Sequence, residues 1–444
     1  MAMRSAVLFA LFAALPSCWG ADAAQAERLR RFNEAKFGMF IHWGPYSLAS
    51  VEASWPIMRP ERHPGITEAE YRALPQRFNP VQFDPRAWVR LAKAAGQRYM
   101  VFTSKHHDGF CMFDSLFTSY KITRTPFKKD IAAMLASAAR EEKLPFGFYY
   151  SPPDMNHPGF RDTSKPSSAN WGGEPERPEW PLYLSYMELQ IRELLTRYGD
   201  IFVIWFDGLS NREKYDGLRF HRIIHEIQPL ALINNRIGPI GDFVTPEQRL
   251  PKGIPVKGAQ ILGTSAALDK GLSAKAPKPE DFQPWETCMT INNTWGYNKN
   301  DRKFKSSRDL IRALIDAASK GGNFLLNVGP TPEGTIQPEF EERLLAIGAW
   351  LKINGEAIYG TTYGPLQDIP FGRMTAKGKT LYLHVYDWPK EAIVLKGLAS
   401  KVVRVTALDG NKPLKFTQTG GTLRIPVEGL KPDPAATVFS LLTR

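Results

Sequence analysis

The sequence predicts an α/β protein: a (β/α)8-like TIM barrel followed by a C-terminal antiparallel β-sandwich. From about residue 30 to 355, short apolar runs alternate with amphipathic helical patterns, which is typical of a parallel sheet with helices outside it. Polar residues cluster directly after several of these runs, and no Gly-rich phosphate-binding loop follows the first one. Both features favour a closed barrel over an open, doubly wound sheet, because barrel enzymes place their sites after the strand ends.

The predicted barrel strands are short and apolar on both faces, as buried parallel strands are. They cover residues 37–42, 98–103, 145–150, 201–206 and 231–234. The clearest helix covers residues 84–96, where Asp84 can cap the first turn, Pro85 fits the first helical position and Gly96 ends the pattern. Further helices are predicted over residues 130–142, 181–198, 307–319 and 338–353.

The pattern changes after Gly355 to β-branched and alternating runs, which predict an antiparallel sandwich. We therefore expect a catalytic barrel at residues 24–355 and a sandwich domain at 356–444. Stretches rich in Pro, Gly and Ser are predicted to form long loops over the face that carries the site, at residues 152–181 and 263–284. The predicted sandwich strands are 380–386, 392–395, 401–407, 422–427 and 437–442.

The first residues have the layout of a secretory signal peptide. Arg4 precedes an apolar run over residues 6–15, and small residues follow up to a cleavage point near Ala24. We expect residues 1–23 to be removed and the protein to be exported to a periplasmic, lysosome-like or extracellular compartment. A lipid anchor at Cys18 is not expected, and no later run is long enough to span a membrane.

The charge and cysteine content exclude further classes. The net charge is +12, but the basic residues are scattered without runs beyond pairs, so we expect a solvated surface and no nucleic-acid partner. After processing only Cys111 and Cys288 would remain, and we expect two buried thiols, although a pair is not excluded by their spacing.

Histidines and carboxylates follow three predicted strands. His42 ends the first predicted strand, His106, His107 and Asp108 follow the second, and Asp207 follows the fourth. One interpretation is a metal site, since His and Asp at barrel strand ends suit zinc and similar ions. Adjacent histidines on a strand point to opposite faces, however, so His106 and His107 can share a site only if the strand has already ended.

The other interpretation is a sugar-hydrolysing site. Asp207 follows a wholly apolar strand ending in Trp205 and Phe206, which would place a carboxylate at the barrel mouth beside an aromatic wall. A carboxylate placed at the barrel mouth beside an aromatic wall is where a glycosidase nucleophile is expected. The alternative role of Asp207 is a turn residue before Gly208.

The sequence also contains strings that closely resemble the α-L-fucosidases of glycoside hydrolase family 29, in the family's order. They are KFGMFIHWGPYSL from Lys36, SKHHDGFCMFDS from Ser104, GFYYSPPD from Gly147, WFDG from Trp205, WETCMTINNTWGYN from Trp285 and GGNFLLNVGPTPEGTI from Gly321. The resemblance implies an exo-acting, retaining hydrolase that removes terminal α-linked L-fucose through a covalent fucosyl-enzyme, with no metal or other cofactor. Its substrate would be a fucosylated oligosaccharide or glycoconjugate.

The resemblance also implies roles for individual residues. Asp207 matches the family nucleophile. The general acid/base changes its sequence position between subgroups, and both Glu247 and Glu286 are candidates, of which we prefer Glu247. Side chains that resemble the family's sugar contacts are His42, Trp55, His106, His107, Tyr149, Trp205, Arg236 and Trp295.

The chain departs from the family pattern after the first strand, where Ser54-Trp55 stands in place of Glu-Trp. We therefore expect no carboxylate contact from that position. Two other functions stay open: a non-catalytic secreted carbohydrate-binding barrel, and a metal-dependent hydrolase using His42, His106, His107 and Asp207.

Overall fold

A computed structural model describes residues 20–208, 210–238 and 241–444. The strands are β1 (Phe37–Ile41), β2 (Tyr99–Lys105), β3 (Phe146–Tyr150), β4 (Val203–Phe206), β5 (Leu232–Ile233), β6 (Thr245–Pro246), β7 (Ile254–Gln260), β8 (Leu262–Gly263), β9 (Lys270–Ser273), β10 (Glu286–Thr290), β11 (Asn323–Val328), β12 (Thr362–Tyr363), β13 (Gly372–Lys377), β14 (Thr380–Val385), β15 (Ala392–Leu395), β16 (Val402–Ala407), β17 (Lys412–Leu414), β18 (Thr417–Thr419), β19 (Thr422–Pro426) and β20 (Thr437–Thr443).

The helices lie mainly outside the barrel strands, and several begin at side-chain caps. Asp84 accepts hydrogen bonds from two backbone N–H groups of the first turn, and Asp130 and Ser306 cap later helices in the same way. The helices are α1 (Ala21–Ala35), α2 (Trp55–Met58), α3 (Glu68–Ala73), α4 (Pro85–Ala94), α5 (Ile131–Glu141), α6 (Trp180–Arg197), α7 (Gly217–Ile227), α8 (Ser307–Ser319) and α9 (Pro338–Asn354).

Seven parallel strands form one curled sheet in the order β10-β11-β1-β2-β3-β4-β5. The segment 243–247 lies between the two edges of this sheet and closes it into a ring. Phe243 forms a parallel bridge with Asn234 on one side, while Val244 and Glu247 bridge Trp285 and Cys288 on the other. The eighth position of the barrel is therefore held by single bridges rather than by a continuous ladder. The predicted TIM-barrel fold is confirmed.

Alternation along the strands decides which side chains enter the barrel lumen. In β1, Phe37, Met39 and Ile41 pack against the helices, whereas Phe40 packs inside with Trp205 and Tyr149. The inward positions recur at every second residue, so the residues that continue these rows beyond the strand ends point into the mouth. The inward-facing residues of several strands therefore converge at the mouth of the barrel.

Helix α1 covers the amino-terminal end of the barrel. Phe32 stacks on Phe243 with ring centroids 4.6 Å apart, and its carbonyl accepts a hydrogen bond from Asn323. Arg28 donates to the buried Asp242 carboxylate at 3.1 and 3.3 Å. This helix therefore anchors the start of the segment that closes the barrel.

The C-terminal region forms two antiparallel sheets, of six strands (β12-β13-β14-β20-β16-β17) and three strands (β15-β19-β18). Apolar residues of both sheets form a shared core. The larger sheet also packs on the barrel helices: Arg373 forms an ion pair with Asp316 of α8, and the Trp350 indole of α9 donates to the Ala436 carbonyl at 3.1 Å. The predicted sandwich is confirmed, and it supports two barrel helices.

The sequence prediction also misses some elements. Helix α7 was not predicted, and the predicted loop 263–284 contains β9, which pairs with β7 in an antiparallel hairpin. Among the described residues, every helix is too short or too polar to cross a membrane. Residues 1–19, with most of the predicted signal peptide and Cys18, lie outside the described residues, so that prediction and the exact domain limits stay predictions.

Candidate active site

A pocket opens at the carboxyl ends of the barrel strands. All the sugar-contact residues predicted from the sequence line it, together with Asp207 and Glu247, whereas Glu286 does not. Phe40 and Cys288 line it as well and were not predicted. The complete lining is Phe40, His42, Trp55, His106, His107, Tyr149, Trp205, Asp207, Arg236, Glu247, Cys288 and Trp295.

Asp207 lies at the centre of the pocket, directly after β4. The Tyr149 hydroxyl donates to its Oδ2 at 2.9 Å, and Arg236 donates from Nη1 to its Oδ1 at 2.7 Å. Each carboxylate oxygen therefore has one fixed donor. These contacts hold the carboxylate in one orientation while 8% of the residue stays exposed to the pocket.

Arg236 also binds Glu247, from Nη2 to Oε2 at 2.9 Å, and its guanidinium carbon lies 4.6 Å from the centre of the Trp205 ring. One guanidinium thus joins both carboxylates of the pocket. Burial raises the pKa of Glu247; the Arg236 charge opposes this rise and the Asp207 charge adds to it. Glu247 therefore combines a raised pKa with a position beside Asp207.

Glu286 lies beneath the pocket, inside the barrel. It is the first residue of β10, so its side chain enters the lumen well below the strand ends, where barrel enzymes place their chemistry. The Trp205 indole donates to its Oε1 at 2.9 Å, and the Tyr99 hydroxyl donates to its Oε2. Burial raises the pKa of Glu286 to about 7. The environment is that of a structural carboxyl group.

The three histidines of the pocket come from the ends of β1 and β2. Strand β2 ends at Lys105, so His106 and His107 are outside the strand and both face the pocket, with ring centroids 4.1 Å apart. Burial lowers the pKa of His42 to about 4 and of His107 to about 3, and lowers that of His106 well below its ordinary value. All three imidazoles are neutral near pH 7.

Hydrogen bonds at Nδ1 determine what each of two imidazoles offers to a ligand. The Ser151 hydroxyl gives its hydrogen to the Pro153 carbonyl at 2.6 Å, so it accepts the Nδ1–H of His107 at 2.6 Å. The Nε2 of His107 is then an acceptor. His42 donates from Nδ1 to the Asn327 Oδ1 at 2.7 Å, because the Asn327 amide nitrogen is already bonded to the Trp295 carbonyl.

His106 carries its hydrogen on the other ring nitrogen, Nε2. The Ser54 oxygen accepts the N–H of Asp108 at 2.7 Å, and its other hydrogen-bond partner among the described residues is the His106 Nδ1 at 2.7 Å. Because the hydroxyl hydrogen has no other acceptor there, it goes to Nδ1. The Nε2–H of His106 is therefore a donor toward the pocket. Ser54 therefore orients a histidine. A pocket that offers both acceptors and a donor suits the hydroxyl groups of a sugar.

The only metal-like cluster in the described part of the chain is His106, His107 and Asp207, whose ligand atoms lie within 4.8 Å of one another. Asp108, a candidate in the metal interpretation, instead bonds to the Tyr71 hydroxyl and the Phe110 N–H. The contacts at the Asp207 carboxylate already come from a cationic guanidinium and a phenol. A cation would have to displace these donors, so the donor set fits an ion poorly.

A half-buried glutamate, Glu52, fixes the aromatic wall and was not predicted from the sequence. Glu52 accepts the backbone N–H groups of Trp295 and Gly296 at 2.8 and 3.1 Å. Trp295 lies against His42, with ring centroids 4.9 Å apart. Burial raises the pKa of Glu52 to about 7. Glu52 and Trp295 are far apart in the sequence, so no local pattern could predict this contact. Cys111 and Cys288 are both free and buried.

Comparison with known proteins decides between the interpretations of this pocket. The α-L-fucosidase family model matches residues 19–356 of the sequence. The chain belongs to the α-L-fucosidase family. It is a glycoside hydrolase, and the family match covers the whole barrel that carries the pocket.

Relatives of this α-L-fucosidase family member cover both of its domains. The human plasma α-L-fucosidase is 31% identical over 422 residues, which are 89% of this chain and 85% of that protein. The α-L-fucosidase isoenzyme 1 from Paenibacillus thiaminolyticus is 36% identical, with a TM-score of 0.83 over 95% of this chain and all of that one. A trapped covalent intermediate of the Bacteroides thetaiotaomicron α-L-fucosidase is 26% identical, with a TM-score of 0.78 over 94% of this chain and 96% of that one.

Proposed function

We propose that this α-L-fucosidase releases terminal fucose from glycans with retention of configuration, using Asp207 as nucleophile and Glu247 as general acid/base. The observation that carries the proposal is the shared Arg236 guanidinium, which bonds Asp207 at 2.7 Å and Glu247 at 2.9 Å. Retaining glycosidases need their two carboxyl groups only about 5 to 5.5 Å apart, and two carboxylates on one guanidinium are necessarily close.

In the first step, Asp207 attacks the anomeric carbon while Glu247 gives its proton to the departing glycosidic oxygen. The bond to the leaving group breaks as the bond to the Asp207 oxygen forms. Tyr149 and Arg236 hold the attacking carboxylate, and Arg236 can retain its contact with the second oxygen during the attack.

The charge on Asp207 also explains how Glu247 changes its role. In the free enzyme, the Asp207 carboxylate contributes to the raised pKa of Glu247, which favours the protonated acid. When Asp207 becomes an ester, it loses that charge, while Arg236 keeps its own. The pKa of Glu247 then falls, so the deprotonated carboxylate can accept a proton from the attacking water.

Specificity for fucose is expected to come from the aromatic wall and the histidines. Fucose has a methyl group at C6, and Trp205 and Trp295 would gain from its burial. A 6-hydroxyl group would lose its water there without a partner. The Nε2 atoms of the three histidines would bond the ring hydroxyls. A binding protein without activity is not favoured, because the pocket holds both carboxylates.

Azide rescue tests these roles with 4-nitrophenyl α-L-fucoside. Asp207→Ala should lose turnover, and azide should restore it with formation of the inverted fucosyl azide. Glu247→Ala should slow hydrolysis about 10²- to 10⁴-fold, and azide should then give the retained fucosyl azide. Glu286→Gln is the matched control outside the pocket and should keep its activity. Normal turnover by Asp207→Ala, or azide rescue of a Glu286 variant alone, would contradict the assignment.

We also propose that residues 1–23 are an export signal. The support is the pattern of one early charge, an apolar run and small residues. N-terminal sequencing of the protein exported by its own host would test this, and a mature chain that begins near Ala24 is the expected result. A retained Met1 in the exported protein would contradict it.

A further inference from the structure

The rim of the pocket carries an aromatic surface that the proposed reaction leaves unused. Trp55 lines the pocket, and its ring meets His107 edge-on at 6.4 Å. On another side of Trp55, the Trp171 ring lies 6.4 Å away, outside the pocket lining. The guanidinium carbon of Arg59 lies 4.7 Å from the centre of the Trp171 ring. We call Trp55, Arg59 and Trp171 the rim platform.

Trp171 is held at the mouth by the loop between β3 and α6. The carbonyl of its neighbour Gly172 accepts hydrogen bonds from the Ser210 hydroxyl at 3.2 Å and the Asn211 amide at 3.0 Å. These two residues belong to the loop that carries Asp207. The neighbouring backbone thus ties Trp171 to the nucleophile's loop, while its ring reaches the loop that follows β1.

Hydrogen bonds to α3 fix the part of the β3–α6 loop that precedes Trp171. The N–H and hydroxyl groups of Ser167 donate to Glu68 of α3 at 3.0 and 2.7 Å. Trp171 is nevertheless only partly buried, as are Trp55 and Arg59. A large, partly exposed ring at a pocket mouth, on a loop that is hydrogen-bonded on both sides of it, is a preorganised binding surface.

We infer that the rim platform binds the leaving group as a pyranose of the glycan chain, whose C–H face stacks on Trp171. This inference rests on the proposed function, because an exo-acting pocket takes only the terminal fucose. The next sugar must then lie at the mouth, where Trp55 ends the pocket. The cation–π contact of Arg59 orients the Trp171 ring. Among the described residues, Arg59 forms one ion pair, with Glu61, and the nitrogen–oxygen distance is long, at 3.9 Å. The N–H groups of Arg59 can therefore reach sugar hydroxyls.

Two kinds of substrate that share fucose but differ in the leaving group test the inference. α-L-Fucosyl fluoride has no leaving-group sugar, whereas fucosylated lactoses with α-1,2 and α-1,3 linkages carry one. We expect Trp171→Ala to lower kcat/KM at least about tenfold for a fucosylated lactose that the wild-type enzyme cleaves. The same variant should hydrolyse the fluoride within about twofold of the wild-type rate, which also shows that it is folded.

Two further variants separate ring stacking from charge. Arg59→Met should show a smaller loss that is again confined to the lactose substrates. Arg62→Met removes the same charge from an exposed neighbouring position and should behave as wild type. Equal losses on fluoride and lactose substrates, or no loss on either, would overturn the rim platform. Failure of the wild-type enzyme on the fluoride would instead contradict the proposed function.

Discussion

Replacing Glu286 by glutamine should make the stability of the protein less dependent on pH. Glu286 is 1% exposed and bonds only to the neutral Trp205 and Tyr99 side chains, so no cation compensates its charge. Its pKa is raised from 4.5 to about 7. At about 1.4 kcal/mol for each pH unit, the buried carboxylate costs about 3 kcal/mol above pH 7.

The sign of this pH dependence follows from whether the folded or the unfolded chain holds the Glu286 proton. Below about pH 4.5 the carboxyl group is protonated in both the folded and the unfolded chain, so it contributes no penalty. Between about pH 4.5 and 7 the folded chain holds a proton that the unfolded chain has released, and above 7 it must bury the charge. The wild-type protein should therefore lose about 2 to 3 kcal/mol relative to Glu286→Gln between pH 5 and pH 8.

Guanidinium unfolding of both proteins at the two pH values measures this difference. Glutamine is a suitable replacement because its oxygen can still accept the Trp205 N–H, and the Tyr99 hydroxyl, which donates to Glu286, can turn to accept from the amide. Glu342→Gln, whose side chain is 81% exposed on α9, is the matched control and should follow the wild-type pH dependence. A stability difference between wild type and Glu286→Gln that does not change with pH would refute the reasoning.

Further variants test the pocket and the barrel closure. Tyr149→Phe removes the hydroxyl bonded to the nucleophile and should lower kcat/KM for 4-nitrophenyl α-L-fucoside about 10- to 100-fold; an unchanged value would show that the contact is dispensable. Arg28→Met leaves the buried Asp242 carboxylate without its arginine and with only the Ile233 N–H at 2.9 Å and His225 at 3.9 Å, so guanidinium unfolding should give a loss of about 3 to 5 kcal/mol, and a loss below 1 kcal/mol would contradict it. Histidine ¹⁵N spectra should place the His107 proton on Nδ1, and Ser151→Ala should move part of it to Nε2; a wild-type proton on Nε2 would be inconsistent with the hydrogen-bond pattern.

The barrel and the centre of its site could be predicted from the sequence because they depend on local patterns. Apolar strands followed by His42, by His106 and His107 and by Asp207 put these residues at strand ends, where parallel strands bring them together. The periodicity of two inside each strand then fixes which side chains face the lumen. These relations need no knowledge of distant contacts.

The remaining parts of the site depend on contacts across long stretches of chain. The segment 243–247 has no regular strand pattern, so the sequence could not decide between Glu247 and Glu286. Ser54 contacts His106, and Glu52 contacts the backbone of Trp295, although neither pair is close in sequence. Such hydrogen bonds leave no periodic signal, because one polar residue in a loop resembles any other.

The irregular eighth position of the barrel bears on how this fold can evolve. Asp207, the proposed nucleophile, directly follows β4, whose neighbours fix that strand by ladder hydrogen bonds, so a shift of one residue would turn Asp207 away from the lumen. Glu247 stands on a segment held by single bridges, where an insertion disturbs few hydrogen bonds. If Glu247 is the acid/base and Asp207 the nucleophile, as proposed, selection can relocate the acid by altering loop length while the nucleophile stays in place. Directed evolution aimed at new leaving groups should start with insertions around residues 241–250.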